Sequence, residues 1–158
     1  MRYYCPDIGL EVRISKELIE KLFKTGLTYY PTEYGGILVG RYSDDYKTCF
    51  IVDTILPIKS KSSRFLFERG NDGLGQKLTE YYNQEPSLIY LGEWHTHPDS
   101  TPTPSATDRR AMKQIAQDEK VKITSPVLII LGITKSRCDI GMYVQHQNKL
   151  HKYEYQQD

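Results

Sequence analysis

The segment from Leu88 to His95 reads as a strand, and it runs without a break into His95-Thr96-His97-Pro98. Residues two apart on a strand project to the same face, so both imidazoles are committed to one side of a sheet at the end of one strand. Such a pair can converge on a single cation, and imidazole nitrogens suit zinc. The rest of the chain has to provide a sheet for that strand and a further element that reaches the histidines.

The remaining pattern supplies both. Ile8, Leu10, Val12 and Ile14 alternate with polar residues, the period of a half-buried strand. Ser15 then has the form of an N-cap, and Leu18, Ile19, Leu22 and Phe23 follow at helical spacing, with Gly26 as the expected stop. Gly36 to Tyr42 and Cys49 to Leu56 read as strands joined by a polar connection and paired antiparallel. A short strand is expected at Arg64 to Glu68, a helix from Gly73 to Gln84 ended by Pro86, and a helix from Ser105 to about Glu119 with Ala111, Ile115 and Ala116 inward. Val127 to Ile133, Gly141 to Gln145 and Leu150 to Tyr155 close the chain as strands. With 158 residues at 39% hydrophobic there is material for one core, so a single domain over residues 1–158 is expected. The fold class is α+β of the αβα type, a mixed and largely antiparallel sheet flanked by two or three helices.

Asp108 falls in the first turn of the helix after the histidines, where the helix dipole favours its ionised form. Two imidazoles and one carboxylate leave a fourth tetrahedral position for water, the mark of a catalytic rather than a structural zinc site. Water activated in this way still needs a base to take its proton and deliver it to a leaving amine. Glu33, Glu68 and Glu93 are the carboxylate candidates, and spacing does not choose among them. Glu93 shares the histidines' face as an orienting partner, and Glu33 precedes Gly35-Gly36, where missing side chains allow a close approach.

Glu33-Tyr34-Gly35-Gly36-Ile37-Leu38-Val39-Gly40, followed by His95-Thr96-His97-Pro98, six residues, Ser105 and Asp108, closely resembles the JAMM signature of the JAB/MPN/Mov34 metalloproteases. The resemblance covers about residues 10 to 145 and fills every position of the motif. It implies a JAB/MPN domain of cytidine-deaminase-like architecture, with His95, His97 and Asp108 as zinc ligands and Glu33 as the general acid/base. Ser105 takes the place of the serine that donates a hydrogen bond to the oxyanion, beside its capping role. The implied reaction is zinc-dependent hydrolysis of an isopeptide or peptide bond after the C-terminal tail of a ubiquitin-like protein, the tail bound as an added strand. The short chain and the Gly92-Glu93-Trp94 lead into the histidines look most like standalone bacterial JAB deconjugases of antiphage operons, the CBASS type, which act beside E1- and E2-like enzymes. There the substrate is a conjugated CD-NTase tail. Trimming of a sulfur-carrier protein and a non-catalytic MPN scaffold are the alternatives.

Composition excludes other classes. The formal net charge is +1, from 21 basic and 20 acidic residues, so no bulk field recruits nucleic acid or an anionic membrane. The longest aliphatic run, Val127 to Leu131, is too short to span a bilayer, and no leader-like stretch opens the chain, so a cytoplasmic protein is expected. Cys5, Cys49 and Cys138 form no Cys-x-x-Cys pair and read as free thiols. A zinc nucleobase deaminase would need His-x-Glu and Pro-Cys-x-x-Cys, and neither occurs. His146 and His151 read as ordinary exposed histidines. Lys59, Lys61 and Arg64 read as a solvated loop, and the stretch from Pro57 to Gly73 as a candidate inhibitory loop.

Overall fold

A computed structural model of the chain describes residues 1–57 and 73–157. The strand expected at Arg64 to Glu68, together with Glu68, Lys59, Lys61 and Arg64, lies outside the described residues. So does the body of the candidate inhibitory loop.

Two strands precede the first helix, where one was expected: β1 (Arg2–Cys5) pairs antiparallel with β2 (Leu10–Ile14). β1 escapes an aliphatic search because its buried positions are Tyr3 and Cys5. Ser15 caps α1 (Lys16–Tyr29), its Oγ accepting from the Leu18 N–H at 3.0 Å. Gly26 does not end this helix but lies within it, on the buried face. A Cβ there would come within 2.6 Å of Thr96 Cγ2 and 2.7 Å of Ile133 Cδ1, so this glycine lets the helix lie close on the sheet.

β3 (Gly35–Tyr42) and β4 (Thr48–Ile55) pair antiparallel as expected. Then come α2 (Leu74–Asn83), β5 (Ile89–Pro98), α3 (Ala106–Gln117), β6 (Val127–Ile133) and β7 (Cys138–His146). The expected last strand is two strands, β8 (Lys149–Lys152) on β7 and β9 (Glu154–Gln156) on β1. The order across the sheet is β8-β7-β6-β5-β3-β4-β2-β1-β9, with β2/β4 and β5/β6 parallel and the other pairs antiparallel. Its two ends are joined by Tyr153 alone. Lys152 and Glu154 are therefore no more than about 7 Å apart, and the sheet is curled until its edges approach each other.

Helices cover both faces. Val127, Ile129, Leu131 and Ile133 of β6 point into one core with Leu18 and Leu22 of α1, while Leu128 and Ile130 point into a second core with Met112 and Ile115 of α3. β6 is buried on both sides, which explains its unbroken aliphatic run. Each fully buried aliphatic side chain stabilises the fold by about 1.5–3 kcal/mol relative to exposure. This is the α+β, αβα arrangement with a mixed, mainly antiparallel sheet that the sequence predicts.

Candidate metal centre

The centre lies where β5 leaves the sheet. β3 pairs with β5 through Leu38↔Gly92 and Val39↔Tyr90, leaving Leu91 as an extra residue, and this bulge resets the alternation along the strand. Leu91 and Trp94, three apart, both enter the α1 core. Thr96 follows Trp94 toward α1, so His95 and His97 take the opposite face, under α3. Their Nε2 atoms are 3.1 Å apart.

α3 brings the third group. Asp108, Ala111, Met112 and Ile115, spaced i, i+3, i+4 and i+7, are its buried residues, so the helix that packs its apolar stripe on the sheet turns Asp108 inward too. Asp108 Oδ1 lies 3.3 Å from His95 Nε2, and Oδ2 lies 3.5 Å from His97 Nε2. Ser105 fixes that carboxylate by a capping box. Its Oγ accepts from the Asp108 N–H at 3.1 Å, while its own N–H and hydroxyl each donate to Asp108 Oδ2 at 2.6 Å.

Glu33 arrives from the other side, just before β3. Its Oε1 is 3.9 Å from His95 Nε2. The adjoining backbone is seated on β5 by Tyr34, whose N–H donates to Thr96 Oγ1 at 2.9 Å and whose carbonyl accepts from the Thr96 N–H at 2.8 Å. Gly35 and Gly36 make this approach feasible. A Cβ on Gly35 would strike the Trp94 carbonyl oxygen, and one on Gly36 would lie 2.7 Å from the Ile55 carbonyl oxygen. What the missing side chains admit is therefore the protein's own backbone.

The electrostatics follow from the crowding. Burial pushes the Asp108 carboxyl up, but hydrogen bonds from His95 and His97 outweigh it and hold the group well below the usual carboxylate range. The Asp108 contact is also the main reason that His97 is shifted upward, against the effect of its burial. His97 Nδ1 lies 3.2 Å from the Thr101 carbonyl oxygen; a carbonyl only accepts, so Nδ1 carries a proton and Nε2 is the ring atom turned to the centre.

The donor set is of the kind that holds a divalent cation. Tetrahedral zinc with bonds of about 2.0–2.1 Å needs donors about 3.3–3.4 Å apart. The two Nε2 atoms, 3.1 Å apart, are close to that edge, and the Asp108 carboxylate reaches one imidazole through Oδ1 at 3.3 Å and the other through Oδ2 at 3.5 Å. One atom each from Glu33, His95 and His97 also lies within 4.8 Å of the others, but Glu33 stands farther from His95 than Asp108 does.

All five residues singled out in the motif, Glu33, His95, His97, Ser105 and Asp108, thus meet in one place. Glu93 is buried, but among the described residues no hydrogen bond joins it to either imidazole. His146 and His151 are partly buried rather than exposed. His146 Nδ1 is 3.1 Å from Ser125 Oγ, and His151 Nδ1 is 3.5 Å from Asp7 Oδ2. Pairing read along one strand does not reveal partners 21 residues away or further. Sequence reading also missed Thr96, Tyr34 and Thr101, which orient the centre without facing it; the β5 alternation was the available signal for Thr96.

A protein of Enterobacter hormaechei named as a CD-NTase/cGAS isopeptidase is 41% identical over 120 residues, covering 75% of this chain and 66% of that one. The chain thus spans just under two thirds of that relative's length. A Sinorhizobium fredii protein named as a probable metalloprotease is 25% identical, covering 75% of this chain and 73% of its own. The solution structure of a Desulfitobacterium hafniense protein shares the fold, with a TM-score of 0.61 at 18% identity over 89% of this chain and 88% of that one. Residues 15–142, a span that contains Glu33 and all four residues from His95 to Asp108 named above, match the family model of prokaryotic homologues of the JAB domain, and the chain belongs to that family.

Proposed function

We propose that this protein is a zinc-dependent isopeptidase or peptidase that cleaves after the C-terminal tail of a ubiquitin-like protein or a conjugated CD-NTase. His95, His97 and Asp108 would hold the ion and Glu33 would act as general acid/base. The observation that carries the reading is the convergence of two imidazole nitrogens 3.1 Å apart with the Asp108 carboxylate within 3.5 Å of both rings, and a second carboxylate, Glu33, 3.9 Å from His95. A bound zinc ion would supply Lewis acidity, polarising the scissile carbonyl and lowering the pKa of water.

The chain's own residues then divide the work. Glu33 takes the proton from the attacking water and returns it to the leaving amine nitrogen. Ser105 donates a hydrogen bond to the developing oxyanion once its hydroxyl turns from Asp108 Oδ2, which it engages here. Asp108 is kept ionised and oriented by the capping box, and His97 is held in one tautomer by the Thr101 carbonyl.

The name of the Enterobacter relative supports a CD-NTase conjugate as the substrate; action in antiphage defence beside E1- and E2-like enzymes completes the proposal. Among the described residues no helix is long and apolar enough to cross a membrane, and all three cysteines are free, in keeping with a cytoplasmic site of action. A metal-free scaffold would have no use for the donor set. Trimming of a sulfur-carrier protein uses the same chemistry on another tail. The test is cleavage of fusions ending in a CD-NTase tail, a ubiquitin-like tail and a sulfur-carrier tail, with metal analysis of the same sample. Chelation should abolish cleavage and zinc restore it. Cleavage that survives chelation but stops on thiol alkylation would overturn the proposal.

A further inference from the structure

A row of cations crosses four neighbouring strands at the far end of the sheet. Arg2 of β1 stands opposite Arg13 of β2, Arg13 opposite Phe50 of β4, and Phe50 opposite Arg41 of β3. Directly paired residues share a face, and the strand neighbours Tyr3, Val12, Ile14 and Ile51 point into the α1 core, so the row lies on the other side. The Arg41 and Arg13 guanidiniums lie 4.6 Å and 6.0 Å from the centre of the Phe50 ring. Arg41 is six residues along β3 from Gly35, the partner of His95, which puts the row about 20 Å from the metal centre.

Like charges placed opposite one another cost stability. Glu11 offsets part of that cost, binding the Nε of Arg2 at 2.7 Å and of Arg13 at 2.6 Å, but this single carboxylate stands against three guanidiniums. The side chains of Arg2 and Arg13 stay about half exposed, and Arg41 has no ion pair among the described residues. The row borders a concavity of about 440 Å³ that also contains Val52, itself 50% exposed. In a chain of net charge +1 this is a local concentration of positive charge beside apolar surface.

We propose that this row docks an acidic segment of a partner protein. Carboxylates meet Arg41 and the half-exposed side chains of Arg2 and Arg13, while an apolar side chain rests on Phe50 and Val52. A nucleic-acid backbone fits less well, because Glu11 sits inside the row and three strand spacings amount to only about 14 Å.

The test is fluorescence anisotropy with a labelled peptide of alternating Glu and Leu at low salt, none of which involves the metal centre. The native chain should bind it, binding should weaken with salt, and Arg41→Glu should weaken it by about tenfold or more. Melting curves check that the variant folds; if it does not, Arg41→Gln, which keeps a stem over Phe50, replaces it. The proposal is overturned if the native chain does not bind, if a control peptide with Gln in place of every Glu binds equally, or if the folded variant binds unchanged. Tighter binding of duplex DNA or of phosphatidylserine vesicles than of the peptide overturns it as well.

Discussion

Thr96 holds Tyr34 by both of its backbone polar groups, accepting from its N–H at 2.9 Å and donating to its carbonyl at 2.8 Å. Thr96 is the residue between the two histidines, and Tyr34 is the residue after Glu33. The clamp therefore ties the acid/base candidate to the imidazoles across 62 residues of chain, from the side of the strand that faces away from the centre. Stacking of the Tyr34 ring on Tyr29, with centroids 3.6 Å apart, fixes the same residue from α1.

Replacing Thr96 by Val keeps shape and burial but leaves the Tyr34 N–H without its acceptor. A buried donor left unsatisfied costs about 1–3 kcal/mol, which a denaturant titration would measure. Because the Thr96 main-chain N–H survives, the segment should loosen rather than detach. Turnover should fall while zinc content stays near one ion per chain, and Thr96→Ser should restore both stability and turnover. Equal loss in the Ser and Val variants would mean that the hydroxyl is not the link.

Much of this was legible because local and global patterns agree. Ser105 and Asp108 carry a capping box that starts α3, and the same helix's apolar stripe turns Asp108 toward the sheet. The histidines' shared face followed from strand period alone. Other features depend on what comes from far along the chain. Gly26 reads as a stop because glycine so often ends helices, yet here it answers to Thr96 and Ile133. The bulge at Leu91 depends on the register with β3, and the break at Tyr153 on the need of β8 and β9 to reach opposite edges.

Gly26→Val tests that reading of the helix. If glycine ended the helix, a valine would lengthen or leave it unharmed. Against Thr96 and Ile133 it should instead overpack, destabilising the protein by about 1–3 kcal/mol in thermal or chemical unfolding. Since Thr96 is one of the two neighbours, turnover should fall along with stability.

Asp53 gives the fold a pH signature away from the centre. Its Oδ1 accepts from Lys21 of α1 at 2.7 Å and its Oδ2 from the Tyr81 hydroxyl of α2 at 2.6 Å. Burial pushes its carboxyl up, but these bonds outweigh it and lower the group overall. A lowered folded-state pKa contributes stability above the ordinary carboxylate range and loses it as pH falls through the lowered value. Tyr81, pushed up to about 12 by burial and by Asp53, contributes stability below pH about 10 and loses it as pH rises toward 12. Asp53→Asn should flatten both limbs of a stability–pH curve. The Lys21 pair is exposed and contributes under about 1 kcal/mol, so most of the change should persist in high salt.

Ser105 combines two roles that substitution can separate. Loss of the cap in Ser105→Ala should cost about 1 kcal/mol of stability, whereas Ser105→Gly, well tolerated at an N-cap, should cost only about a few tenths of that. Neither variant offers a side-chain donor where the oxyanion would form. If Ser105 donates to that oxygen, both should lose turnover by a factor on the order of 10²–10³ with KM little changed. If it only caps α3, Gly should regain turnover together with stability. Measuring melting temperature, zinc content and kcat on the two variants decides between these outcomes, and the divergence of stability from kcat in Ser105→Gly is the expected result.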